Sequence, residues 1–133
     1  MAQAIAADAA ARAGIDVRVA SAGTAALEGH PADENACAAL EPWGLDLSRH
    51  RARQLTRELV NAAALVVTAT RRQRDDVRHF FPADAAKIVS FDDATGFGDL
   101  GDPYGDGKPA FERTADLLRR GMPGIMTALR SRL

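Results

Sequence analysis

Residues 64–69, Ala-Leu-Val-Val-Thr-Ala, form a continuous apolar run of strand length. A strand with apolar side chains on both faces must be covered on both, which is the environment inside a parallel sheet flanked by helices. Thr70 follows at once as a helix cap, and the helical stretch of residues 71–81 ends at Pro82. Two further β-branched runs read as strands, residues 17–20 upstream and residues 88–91 downstream. Helical patterns lie between and around them. Residues 1–12 are Ala-rich around Ile5 and stop at Gly14, and Asp33 caps a helix that runs through Cys37 and Leu40 to Trp43 and closes at Gly44. Thr56 caps a short segment holding Leu59 and Val60. The last helix starts near Pro109 and carries the stripe Leu117, Leu118, Ile125, Met126 and Leu129. Gly121 and Pro123 predict a break or kink in it.

Strands alternating with helices give an α/β fold with a mostly parallel sheet and helices layered on both sides. One irregularity stands out. A doubly wound unit opens on a strand whose loop binds phosphate at the following helix N-terminus, whereas this chain opens on a helix, so the first strand is expected to be absent.

With 133 residues the chain is read as a single domain, residues 1–133, large enough for a real core. Its net charge of −1 gives no global field that would recruit nucleic acid or a membrane surface. Arg71, Arg72, Arg74 and Arg78 share one helix, but Asp75 and Asp76 interleave with them and no aromatic platform adjoins, so the pattern reads as a solvated face. Cys37, the only cysteine, excludes a disulfide frame and a multi-thiolate metal site. Set among alanines on a helix, it reads as a buried, inert thiol, and a reducing cytoplasm is the expected location. No membrane span or signal peptide is legible.

The segment Gly101-Asp102-Pro103-Tyr104-Gly105 carries the chemistry. Pro103 restrains its own φ and pushes Asp102 toward an extended conformation, while Tyr104 adds a flat wall with a polar tip. A carboxyl on a stiff turn beside an aromatic suits a general acid, and an ordinary Asp-Pro turn is the alternative reading.

Taken together, Ser21-Ala22-Gly23-Thr24, residues 50–56 (His-Arg-Ala-Arg-Gln-Leu-Thr), residues 64–70 and Asp102-Pro103-Tyr104-Gly105 resemble, in order and spacing, the low-molecular-weight protein tyrosine phosphatases, a family shared with some arsenate reductases. The likeness spans nearly the whole chain and implies that family's fold, a three-layer α/β arrangement. It implies Asp102 as the general acid that protonates the leaving phenolate and then activates water. It also implies Tyr104 and Leu27 as linings of the substrate slot, with Leu27 where relatives often present an aromatic and Gly105 where many carry a second tyrosine. Ser21 and His50 match residues that brace the phosphate loop. The family's nucleophile and its phosphate-gripping arginine sit in a Cys-x5-Arg-Ser loop, and no Cys-x5-Arg occurs here, the sixth residue after Cys37 being Trp43. The first helix is similar to the one that follows that loop in relatives.

Three readings stay open at this point. One is a phosphatase of phosphotyrosine or aryl phosphate monoesters whose nucleophile precedes Met1. The second is a non-catalytic phosphate- or partner-binding regulatory module, and the third an inactive fragment. On each, residues 1–133 alone are expected to be inactive and to need no cofactor or metal, and to be weakly stable, to pair with a second copy through unpaired strand edges, or to rearrange. A Ser21–His50–Asp102 triad lacks any nucleophile-elbow sequence.

Overall fold

A computed structural model describes residues 1–133. The chain divides into two compact units, one of Met1–Leu55 with Asp102–Arg120 and one of Thr56–Gly101 with Gly121–Leu133. No helix is long and apolar enough to cross a membrane.

The second unit holds the sheet. Strands β1 (Val66–Thr68) and β2 (Ile88–Ser90) pair in parallel, with Val66 opposite Ile88 and Thr68 opposite Ser90. The connection between them is a helical crossover whose helix begins at Thr70 through a full capping box with Gln73, each side chain bonding the other's backbone N–H. Thr56 caps the short helix before β1 from one side only, accepting from the Leu59 N–H at 3.3 Å. Ile88 and Val60 are fully buried, and Val77, Phe91 and Leu100 of the same unit are buried too. Covering both faces of residues 64–69 is realised at Thr68, which is buried, but Val67 is 37% exposed.

The strand expected over residues 88–91 ends one residue early. Ser90 accepts from the Asp93 N–H at 3.0 Å while the Asp93 carboxylate accepts from the Ser90 N–H at 2.9 Å. This second capping box starts a short helix, Phe91–Thr95, inside what the sequence presented as a long loop from residue 92. The expected break in the last helix is likewise absent: Lys108–Arg130 runs as one helix with Pro123 inside it. Gly121 and Gly124 act there as packing residues. A Cβ on Gly121 would fall 2.5 Å from the Phe91 ring, and one on Gly124 would fall 2.4 Å from the Ala94 carbonyl oxygen. Buried Met122, Ile125 and Met126 hold the turns on either side of Pro123 against the core, which offsets the hydrogen bond the proline cannot donate.

In the first unit, the opening helix Ala2–Arg12 buries Ile5 and Ala10. The helix Glu34–Leu40 is capped by Asp33, which accepts from the Asn35 N–H, and tightens at Pro42 into a 3₁₀ turn that Gly44 closes with φ +72°. The strand expected at residues 17–20 does not form. Its period-two pattern is present, with Val17 and Val19 half-buried and Arg18 and Ala20 exposed, yet the segment carries no regular secondary structure. A strand exists only as part of a hydrogen-bonded ladder, and no segment pairs with this one. Regular pairing in this unit is limited to two isolated bridges, Gly23 with Gln54 and Pro31 with Arg51.

Candidate active site

All five residues singled out by the sequence, Ser21, Leu27, His50, Asp102 and Tyr104, fall in the first unit. Ser21 and His50 come together. They line one cavity of about 280 Å³, with Gly23, Ala26 and Arg53 on its walls. The Ser21 hydroxyl donates to Gln3 Oε1 at 2.6 Å, tying the turn to the opening helix. Arg53 Nε donates to the Ser21 carbonyl at 3.2 Å.

Burial pushes the His50 imidazole below its ordinary value, and the positive charge of Arg51 pushes it the same way. The ring is therefore neutral near pH 7, with one nitrogen free to donate and the other to accept. Cys37 is half-buried, not fully buried as its alanine neighbours suggested, and lines a separate open depression beside Glu34, Glu41 and Leu45.

Asp102 and Tyr104 stand on an exposed turn. Asp102 Oδ1 accepts from the Tyr104 N–H at 3.0 Å and the Asp106 N–H donates to the Pro103 carbonyl at 3.0 Å, so the carboxylate is pinned through one oxygen only. Gly105 adopts φ +84°, a left-handed turn that suits glycine. Tyr104 is 77% exposed and Leu27 69% exposed. None of these three lines the cavity of Ser21 and His50. Ser21 spends its proton on Gln3, so the Ser–His–Asp relay has no hydrogen-bonded path.

The sequence singled out His50 in the segment 50–56 but missed what its neighbours do. Gln54 Nε2 donates to the Thr24 carbonyl at 2.8 Å, and its Oε1 accepts from the Ala26 N–H at 2.9 Å. The Gln54 backbone N–H in turn donates to Glu28 Oε1 at 3.0 Å. The available signal was the Arg-Gln pair three residues after the histidine, and nothing in its spacing reveals a partner 28 residues away. In the second unit the arginine cluster is largely engaged in-chain: Arg71 bonds Asp99, Arg74 grips both Asp93 oxygens at 2.9 Å, and Arg78 donates to the Ile88 carbonyl.

Residues 1–133 match the family described as "Low molecular weight phosphotyrosine protein phosphatase". A protein of Ralstonia nicotianae named "Probable low molecular weight protein-tyrosine-phosphatase EpsP" is 34% identical over 115 residues, covering 86% of this chain and 79% of that one. Among solved structures, the low molecular weight protein tyrosine phosphatase from T. tengcongensis is 30% identical with a TM-score of 0.88, over 95% of this chain and 87% of that one. The YwlE arginine phosphatase from Geobacillus stearothermophilus is 26% identical with a TM-score of 0.86, over 98% of this chain and 83% of that one.

Proposed function

The chain belongs to the low molecular weight phosphotyrosine protein phosphatase family, and on that premise we propose that it serves the hydrolysis of phosphotyrosine or aryl phosphate monoesters with Asp102 as general acid and base. The single observation that carries the reading is the Asp102 turn, where a proline-restrained carboxylate keeps Oδ2 free of hydrogen bonds beside Tyr104. In the reaction a cysteine thiolate attacks phosphorus as the P–O bond to the leaving group breaks, and Asp102 gives its proton to the departing phenolate oxygen. Asp102 then takes a proton from the water that attacks the cysteinyl-phosphate, releasing inorganic phosphate and restoring the thiolate. Ser21 and His50 brace the phosphate-binding loop, and Tyr104 and Leu27 line the slot for the leaving group.

Residues 1–133 hold no Cys-x5-Arg segment, so in this proposal the thiolate and the phosphate-gripping arginine come from residues outside them. The whole of 1–133 is then one truncated domain of a cytoplasmic enzyme. That same fact favours a second reading, a non-catalytic module that binds a phosphate or a partner. Assay with p-nitrophenyl phosphate near pH 6 separates the cases. No turnover is expected from residues 1–133 alone. In a protein with the loop in place, Asp102→Asn is expected to lower kcat about 10²- to 10⁴-fold, the usual worth of a positioned acid. Turnover by residues 1–133 that Asp102→Ala abolishes would overturn the claim that this stretch is inactive. Self-association through the outer edge of β1 is part of the same proposal, and a monomer with a cooperative melt above about 55 °C counts against it.

A further inference from the structure

Residues 23–31 leave and rejoin the segment 51–55 through backbone bonds at both feet. At one foot the Gly23 N–H donates to the Arg53 carbonyl and the Leu55 N–H to the Gly23 carbonyl, at 2.9 and 2.8 Å. At the other the Gly29 N–H donates to Ala52 and the Ala52 N–H to His30, at 2.8 and 2.9 Å. A loop closed at both ends still needs its interior held, and here Gln54 supplies it from outside the loop. Its amide bonds Thr24 on one side and Ala26 on the other, and its backbone N–H holds the Glu28 carboxylate. Leu27 lies between two of these held residues, Ala26 and Glu28.

Leu27 is 69% exposed and adds little to any core. A lone exposed leucine is ordinary. One whose flanking residues are both tied to the same glutamine is held in place at a cost in chain entropy that burial does not repay. We propose that Gln54 is a positioning residue that fixes Leu27 as the apolar wall of the leaving-group slot, so that substrates carrying their phosphate on an aromatic group are favoured over small acyl phosphates. The inference rests on the phosphatase reading above.

The test uses the full natural chain and two substrates, phenyl phosphate and acetyl phosphate, with amide hydrogen exchange as an independent readout. In Gln54→Ala the Ala26 amide is expected to exchange about tenfold faster, while amides of the β1–β2 ladder stay unchanged. KM for phenyl phosphate is expected to rise about fivefold with kcat unchanged, and both constants for acetyl phosphate to stay within about twofold. Gln54→Glu keeps the acceptor for the Ala26 N–H and loses the donor to Thr24, so it should fall between the native protein and Gln54→Ala on both readouts. Leu27→Ala should reproduce the phenyl phosphate defect without faster Ala26 exchange. Faster exchange with equal losses on the two substrates, or with none, reduces Gln54 to a loop staple and overturns the proposal. Failure of the native chain to hydrolyse either ester overturns the phosphatase reading, and this proposal with it, whatever the exchange data give.

Discussion

Each of the two units is held by its own kind of interaction. In the second, a parallel ladder, two reciprocal capping boxes and close helix packing at Gly121 and Gly124 surround fully buried Ile88 and Val60. In the first, the stretches bearing Ser21, Leu27 and His50 have no ladder, and two isolated bridges with the side chains of Gln3, Arg53 and Gln54 keep them in register. Apolar burial is spread over many contacts, so it tolerates the loss of a polar partner, whereas a loop fixed by a few directional bonds moves when one is cut. The candidate site residues lie on the second kind of scaffold, the kind whose small adjustments change chemistry before they change stability.

Mutations on the two sides should therefore separate. Ile88→Ala, which empties a fully buried position, is expected to cost about 2–5 kcal/mol and to lower the melting temperature of the whole second unit by calorimetry. Gly124→Ala drives a methyl into the Ala94 carbonyl, a backbone atom that cannot swing aside, and should cost about 1–3 kcal/mol in denaturant melts. A neutral result there would mean that the helix shifts freely over its neighbour, and the contrast between the units would weaken.

The smallest expected effect is a pH dependence. Asp93 is held below the ordinary carboxylate range by the Ser90 N–H first and by Arg74 next. Its contribution is thus present at pH values above about 4, the unfolded carboxylate range, and is lost as pH falls through its depressed folded value. Melting curves of native protein and Asp93→Asn should converge as the pH drops below about 4. If they stay parallel, neither the Ser90 N–H nor Arg74 favours the ionised Asp93 over its neutral amide counterpart, and the depression is absent.

Much of the molecule was legible because its signals are local. Asp33, Thr56, Thr70 and Gly44 each act within four residues, so the helices they bound were readable, and the crossover from residues 64–69 to residues 88–91 followed from run lengths and caps. The helix at Phe91–Thr95 was legible too, through Ser90 and Asp93, but the β-branched run before it masked the box. Among the candidate site residues, Ser21 and His50 were named by the family resemblance and Asp102 by its proline-restrained turn together with that resemblance, yet neither says anything of how exposed the Asp102 turn is.

By itself the sequence determined the α/β alternation, the helix ends and the residue types offered for chemistry, because caps, periodicity and proline act over a few bonds. Tertiary structure decided the rest. Residues 17–20 have a strand's alternation but no ladder, since a ladder needs a neighbour that no local pattern can supply. Gly121 and Gly124 read as interruptions and serve as contact points, because a glycine's missing Cβ has value only where another backbone comes close. Gln54 looks like any polar connector residue until the fold brings Thr24 and Ala26 to it across about thirty residues of chain, a separation over which loop-closure entropy, and not propensity, sets which contacts form.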